Sequence, residues 1–367
     1  MRPTSETWMR RALRLAARAR GATAPNPMVG AVLVREGQVV GEGYHRVAGG
    51  PHAEVLALRA AGPAARGATC YVTLEPCCHF GRTPPCTNAL IDGGVTRVVA
   101  AMTDPFPRVA GGGGEALRRA GIDVEVGLLE PEARHLNEAY LKYVTHGLPF
   151  VTLKMAMTLD GKIATAGGDS RWVTGEAARN AVHRWRSQSR AVMIGIGTAL
   201  ADDPQLTARR RGARQPIRVV VDARAELPVN SQIGRTLREV PTVVAATGAA
   251  PADRCRALEA AGAVVLRLPE KAGRVALREL MAELARRELS TVLVEGGAEL
   301  AAGLLDEGLV DRIVFFVAPK LLGGRSAPGP IGGVGHSLMR DALPVRSLSL
   351  RRFGPDLALM GDVHRPD

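Results

Sequence analysis

The apolar pattern of this chain completes one series of strands and helices, stops at "THGLPF" (residues 145–150), and starts a second. Before the stop, helical periodicity covers residues 7–20, 52–61, 115–120 and 131–146. Between these lie the strand-like runs "VGAVLV", "QVVGEGY", "ATCYVTL", "VTRVVAAM" and "IDVEVG". After the stop come "PFVTLKMAM", "RAVMIGI", "IRVVVDA", "TVVAAT", "AVVLRL", "TVLVEGG" and "RIVFFVAPKLL", several of them separated by helical stretches. Short β-branched runs alternating with helices specify layered α/β structure. Two complete series specify two α/β domains, 1–147 and 148–367, as a length of 367 residues also suggests. The ending "SLSLRRFGPDLALMGDV" predicts two antiparallel strands closing a sheet edge, and the runs "PRVAGGGG" and "GGRSAPGPIGGVGH" predict loops.

Composition narrows the function. The net charge is +12, carried mostly by arginine, which admits an anionic partner such as nucleic acid or a phosphorylated metabolite. The densest basic cluster is "TARRRGARQPIR", and aromatic residues make up only 4% of the chain. Stacking platforms for single strands are therefore scarce, and no nucleic-acid partner is expected. The N-terminal "MRPTSETWMRRALRLAARARG" is amphipathic but lacks the apolar core of a signal peptide. No apolar run reaches a membrane-spanning length, so no membrane partner is expected. Five cysteines in so long a chain do not make a disulfide scaffold, and three of them cluster. The expectation is a cytoplasmic enzyme with a metal.

The metal signal is "PHAEVLAL" followed by "VTLEPCCHFGRTPPC". His52-x-Glu54 opens a helix, and Pro76-Cys77 follows a strand and is expected to open another. This is the logic of zinc deaminases: H-x-E, then P-C, with three protein ligands. Thiolate and imidazole suit tetrahedral zinc, and an open fourth position makes such a site catalytic. A carboxylate two residues from the histidine can move a proton without ligating the metal. Cys77, Cys78, His79 and Cys86 all compete for the remaining ligand places. The spacing departs from the usual Cys-x-x-Cys, since eight residues separate Cys77 from Cys86.

That departure carries a resemblance. The stretch "PHAEVLALRAAG…ATCYVTLEPCCHFGRTPPCTNALI", with "PNPMVGAV" and "GYHRVAGG" before it, resembles the deaminase half of the bifunctional riboflavin-biosynthesis deaminase–reductase family. The resemblance implies a cytidine-deaminase-like α/β/α fold, one Zn2+ on His52, Cys77 and Cys86, and Glu54 as proton shuttle. Cys78 stands where the family has serine, and reads as its substitute. Asn26, His45 and Asp104 fall on substrate-pocket positions. Arg82 and Thr83, in the insert, can hold a phosphate through charge-assisted hydrogen bonds. Cys70 and Cys255 read as packed thiols.

The second half carries no dinucleotide fingerprint; "GIGTAL" lacks its third glycine. "VEGGAELAAGLL" is a strand, a glycine turn and a helix start, which can cradle a phosphate. With "LKMAMTLDGKIA", "DSRWVTG", "GTALADDPQLTAR" and "RVVVDA", it resembles the same family's reductase half. The resemblance implies a dihydrofolate-reductase-like α/β fold that uses NADPH. Ala156, Trp172, Thr198 and Asp202 would touch the cofactor, with Gly297, Ala298, Glu299, Leu300, Ala301, Ala302 and Gly303 around its pyrophosphate. Ser170, Arg186, Leu206, Arg209 and Glu295 would touch the substrate. Lys154 and Asp202 are the candidates for proton delivery. The substrates implied are 2,5-diamino-6-ribosylamino-4(3H)-pyrimidinone 5′-phosphate and then 5-amino-6-(5-phosphoribosylamino)uracil. Family members assemble as homo-oligomers, dimers or tetramers.

Overall fold

A computed structural model describes residues 4–80, 84–106 and 109–364. The chain divides into two compact units, Met1–Gly147 and Leu148–Asp367.

The first unit is built on a five-stranded sheet. Its strands are β1 (Gly30–Arg35), β2 (Gln38–Tyr44), β3 (Thr69–Val72), β4 (Arg97–Ala100) and β5 (Asp123–Val126), in the order β2-β1-β3-β4-β5. β1 runs antiparallel to β2 and β3, while β3, β4 and β5 are parallel. The helices are α1 (Ser5–Ala17), α2 (Ala53–Ala61), α3 (Cys86–Asp92), α4 (Gly112–Arg119), α5 (Glu130–Leu136) and α6 (Glu138–His146). Alternate residues of β1 feed two cores. Ala31 and Leu33 pack with Ala53, Ala57, Leu90 and Leu117 of α2, α3 and α4. Val32 and Val34 pack with Met9, Ala12 and Ala133 of α1 and α5. The sheet is thus covered on both faces.

The glycines of "QVVGEGY" seat the helix α2. A Cβ on Gly41 would lie 2.3 Å from the Ala57 carbonyl, and one on Gly43 would lie 2.7 Å from that of Ala53. α2 therefore rests directly on the β2 backbone, which fixes His52 at its N-cap and Glu54 in its first turn.

Three local expectations fail, the first at "PRVAGGGG", whose Gly112, Gly113 and Gly114 already belong to α4. The helix expected over 131–146 is two helices, broken at Asn137. The Asn137 amide accepts from Met28 N (2.8 Å) and donates to Met28 O (3.0 Å), so tertiary hydrogen bonds override helix continuation. Nor does Cys77 open a helix. Residues 75–78 are irregular, and the next helix, α3, starts at Cys86.

The second unit carries a nine-stranded sheet. In chain order come β6 (Phe150–Thr158), α7 (Glu176–Gln188), β7 (Ala191–Gly195), α8 (Ile196–Asp202), β8 (Ile217–Val221), α9 (Gln232–Arg235), β9 (Thr242–Thr247), α10 (Ala252–Ala261) and β10 (Val264–Leu268). A small hairpin, β11 (Glu270–Lys271) and β12 (Arg274–Val275), precedes α11 (Leu277–Arg286), β13 (Thr291–Val294), α12 (Ala298–Asp306), β14 (Arg312–Ala318), β15 (Arg346–Phe353) and β16 (Asp356–Asp362). The order is β10-β9-β8-β7-β13-β6-β14-β16-β15. It is parallel through β14, and β16 and β15 add antiparallel at the edge. One face packs on Leu280, Met281 and Leu284 of α11 and Leu304 and Leu305 of α12. The other packs on Ile233, Cys255 and Leu258 of α9 and α10. β7, β13 and β6 are neighbours, so their carboxyl ends share one crevice, the usual ligand position in parallel α/β sheets.

Candidate active sites

In the first unit, α2, the loop after β3 and the start of α3 converge. One ligand atom from each of His52, Cys77 and Cys86 lies within 4.8 Å of the others. His52 Nδ1 is 3.1 Å from Cys86 Sγ and 3.5 Å from Cys77 Sγ. Zinc bonds of about 2.0–2.3 Å to nitrogen and sulfur need donor separations of roughly this size, so the donor set fits zinc. The Cys86 thiol, hydrogen-bonded to Cys77, holds Cys77 well below the ordinary thiol range, to about 4, against the effect of burial and with help from His52. The thiolate also accepts the Cys86 amide at 3.4 Å. The helix start that stabilises Cys77 is therefore that of α3, not one of its own.

Glu54 is 3% exposed beside this group. Burial, and then the charge of Cys77, push its carboxyl up to about 7. A bound cation acts in the opposite sense. His45 stacks edge-on to His52, with ring centroids 5.3 Å apart. Its Nδ1 contacts Pro51 O at 3.1 Å, which makes Nδ1 the donor. Its Nε2 is then the acceptor for Asn26 Nδ2 at 3.2 Å. Burial lowers the His45 pKa, in keeping with this neutral tautomer. Asn26 is thus oriented from two sides, since Asn137 fixes its loop through Met28. Asp104 is buried and accepts from Tyr140 Oη (2.8 Å) and Phe106 N (3.0 Å). Arg82 and Thr83 lie outside the described residues.

Cys78 does not join the metal-ligand group, and His79 is likewise outside it. Cys78 Sγ faces Gly112, where a Cβ would come within 3.2 Å. Cys78→Ser is expected to retain one zinc per chain, measured by metal analysis. Stoichiometric loss would make Cys78 a ligand. Cys70 and Cys255 are fully buried in the two units' cores.

In the second unit, the ends of β6, β7 and β13 bring the landmarks together. Glu295 N donates to Met193 O (2.9 Å), and Gly195 N donates to Gly296 O (3.3 Å). A Cβ on Gly297 would lie 2.8 Å from Thr198 Oγ1, so the glycine turn and the start of α8 touch. Gly296 has φ +103°, a conformation open to glycine. The first bond of α12 runs from Ala301 N to Gly297 O (3.0 Å), and the amides before it form the free helix start.

Not all of the expected cofactor segment faces that turn. Leu300 and Ala301 are core residues, Ala302 is buried, and Gly303 abuts Leu277. The Glu299 carboxylate is taken by Gly333 N (3.1 Å) and Arg274 (2.9 Å). Ala156 is half-buried on β6, two residues from Lys154. Trp172 is 61% exposed, with the Arg179 guanidinium 4.6 Å over its ring.

Glu295 is gripped by Arg186 through Nε to Oε1 (2.6 Å) and Nη2 to Oε2 (3.0 Å), with Lys154 Nζ 3.8 Å away. Burial alone would raise Glu295, but Arg186 and then Lys154 hold it below its ordinary value. Burial lowers Lys154, which Glu295 partly offsets. Asp202 ends α8 and accepts from Ser170 Oγ at 2.9 Å, and Arg171 Nη2 reaches the Asp202 carbonyl. Leu206 is 3% exposed at φ +56°, so its side chain belongs to the core. Arg209 is exposed and bonds Gln205 Oε1 at 3.3 Å.

Comparison with known proteins bears on both units. The model of the cytidine and deoxycytidylate deaminase zinc-binding region matches residues 2–102, and the RibD C-terminal domain matches residues 149–359. "Riboflavin biosynthesis protein RibD" of Aquifex aeolicus is 44% identical over 98% of each chain. The chain belongs to the RibD family. The RibD of Escherichia coli is also 44% identical, over 96% of this chain and 98% of its own. The solved Acinetobacter baumannii RibD superposes with TM-score 0.89 at 41% identity, covering 98% of both chains. A Thermotoga maritima diaminohydroxyphosphoribosylaminopyrimidine deaminase/5-amino-6-(5-phosphoribosylamino)uracil reductase superposes with TM-score 0.84 at 35% identity, covering 98% of both. The first unit therefore has the cytidine-deaminase-like fold, and the second the dihydrofolate-reductase-like fold of RibD.

Several residues at these sites carry no motif. His183 Nδ1 contacts Thr207 O at 3.2 Å, and Arg186 Nη1 donates to the same carbonyl at 3.1 Å. Gln215 pincers Ala208 by accepting its N–H (2.8 Å) and donating to its carbonyl (3.0 Å). Together they fix the strap around Leu206 and Arg209. The one sequence signal for His183 is its i, i+3 relation to Arg186 on α7.

Proposed function

We propose that residues 1–147 form the deaminase domain and 148–367 the reductase domain of a bifunctional riboflavin-biosynthesis enzyme. The convergence of His52, Cys77 and Cys86 beside buried Glu54 carries this reading. The first half hydrolytically deaminates 2,5-diamino-6-ribosylamino-4(3H)-pyrimidinone 5′-phosphate. His52, Cys77 and Cys86 hold zinc, which when bound supplies Lewis-acid activation of the attacking water. Glu54 takes the proton of that water and delivers it to the ring nitrogen and then to the leaving amine. Asn26 and Asp104 hold the pyrimidine, and His45 sets the direction of the Asn26 amide.

The second half reduces 5-amino-6-(5-phosphoribosylamino)uracil with a nicotinamide cofactor, which we assign as NADPH. The cofactor supplies the hydride. Gly296, Gly297 and the α12 start, with Thr198, receive its phosphates. Arg209 attracts the ribose phosphate, Arg186 holds Glu295 toward the substrate, Ser170 contacts the sugar and Asp202 the cofactor. Hydride reaches C1′ of the ring-opened imine, and a proton reaches the imine nitrogen. We assign its delivery to Lys154 or Asp202.

We infer a homo-oligomer that pairs through the sheet edge. Both faces of β15 are uncovered, with Leu348 at 62% and Leu350 at 59% exposure, and Met339 before it is 90% exposed. Such an apolar edge strand invites pairing with a second copy. The double variant Leu348→Arg/Leu350→Arg is expected to lower the mass measured by light scattering. An unchanged mass would place the contact elsewhere. No helix among the described residues is long and apolar enough to cross a membrane, and we place the enzyme in the cytoplasm, where its free cysteines stay reduced.

One assay tests the whole. The purified chain receives the diaminopyrimidine phosphate with NADPH, then with NADH, while ammonia and nicotinamide absorbance are followed separately. Ammonia without NADPH oxidation would refute the second half, and faster NADH oxidation would refute the cofactor assignment.

A further inference from the structure

The glycine-rich run 111–114, a loop by sequence alone, has a partner. Glu75 sits just before Pro76-Cys77 and is 6% exposed. Its Oε2 accepts Asp104 N (3.2 Å) and Gly111 N (3.0 Å), and its Oε1 accepts Gly114 N (2.9 Å). Its own amide donates to Met102 O at 3.0 Å. The amides of Asp104, of the α4 N-cap Gly111 and of Gly114 in its first turn thus converge on one anion as a nest of donors. A buried carboxylate with fewer donors would be costly.

The fit leaves no room for a side chain at Gly113. A Cβ on Gly113 would stand 2.0 Å from the Pro76 carbonyl. Gly111 itself has φ +87°. On its other side, the same loop is held by α3, where Thr87 N donates to Cys77 O (3.2 Å) and Cys86 N to Cys77 Sγ (3.4 Å). Cys77 therefore hangs between two supports, the α3 start and the Glu75 nest. The nest also fixes the backbone of Asp104, whose carboxyl is directed by Tyr140 and Phe106 N.

We propose that Glu75 is a positioning residue for deamination, its carboxylate, held by the amides of Asp104, Gly111 and Gly114, setting the metal ligand Cys77 and the pocket acid Asp104 in fixed relation. Glu75 touches neither metal nor substrate, and it acts through the two residues that do. The inference rests on reading the first unit as a zinc deaminase.

The test uses the full chain, in which the reductase half reports on folding. Glu75→Gln keeps the shape of the side chain but sets an amide N–H against the nest's donors. Gly113→Ala attacks the same contact from the opposite side. Both are expected to surrender zinc to a chelator at about tenfold lower concentration or less, in line with the effect of outer-shell partners. At saturating zinc, the deaminase KM should rise several-fold while NADPH oxidation is unchanged. Wild-type chelator resistance and wild-type deaminase KM in Glu75→Gln would overturn the proposal. So would a parallel fall of both activities, which would make Glu75 a general stability residue. A wild-type chain that neither holds zinc nor releases ammonia would refute both this inference and the deaminase reading beneath it.

Discussion

Glu54→Gln should abolish ammonia release while the zinc stays bound. The expected fall in deaminase kcat is roughly 10²–10⁴-fold, the range for a positioned general acid–base group. The variant keeps the volume and most of the polarity of a side chain that is 3% exposed, so α2 should fold as before. Glu54 supplies none of the three ligand atoms in the metal group, so metal analysis should still give one zinc per chain. What should disappear is the step proposed for Glu54, the carrying of a proton from water to ring nitrogen and amine. NADPH oxidation on preformed uracil substrate should be unaffected. Undiminished ammonia release would remove Glu54 from the mechanism, and loss of zinc would make it a structural part of the site.

Arg218→Met should destabilise the second unit by roughly 1–3 kcal/mol, the usual consequence of removing a buried donor from its acceptors. Arg218 is fully buried on β8. Its hydrogen bonds go to oxygens of Thr242, Thr236, Ile233, Val240 and Gln205, none of them a carboxylate. Burial lowers its pKa to about 10, with Glu239 opposing the shift, so it stays charged at neutral pH. The guanidinium fork gathers the carbonyls of Ile233, Thr236 and Val240, which also accept from Thr236, Glu239, Val240 and Thr242, and that of Gln205. Methionine fills most of the space but removes the whole fork and takes from Gln205 O its bond to Arg218, at about 1–3 kcal/mol before relaxation. Urea unfolding followed by NADPH oxidation should show the loss, with ammonia release persisting to higher urea. A change under about 1 kcal/mol would mean that water reaches these carbonyls.

The large features of the fold were legible because they are periodic. Each strand-like run of the second half is a strand, and "SLSLRRFGPDLALMGDV" does form the antiparallel edge pair. The metal group was legible because zinc chemistry restricts both residue type and order. What escaped reading is held by contacts between residues far apart in the chain. Asn137 breaks a helix to bind Met28, 109 positions away. Glu75 reads as part of a motif, but nothing in the run 111–114 announces that its amides close on that carboxylate. Leu206 carries the resemblance's substrate role while its side chain lies in the core, which a string of letters does not reveal.

The Asn137 latch limits how small a separable deaminase can be. The zinc-binding region by family likeness ends at residue 102. Yet the turn presenting Asn26 is pinned by Asn137, and Asp104 is held by Tyr140. An excised fragment that stopped at residue 102 would keep the proposed metal ligands but lose Asp104 itself, the Asn137 latch and the amides that hold Glu75. It should hold zinc more weakly than the full chain and discriminate poorly among pyrimidines. The helices beyond β5 are thus part of the lock rather than a tether to the second unit, and any fusion or dissection of the two activities has to leave them with the first.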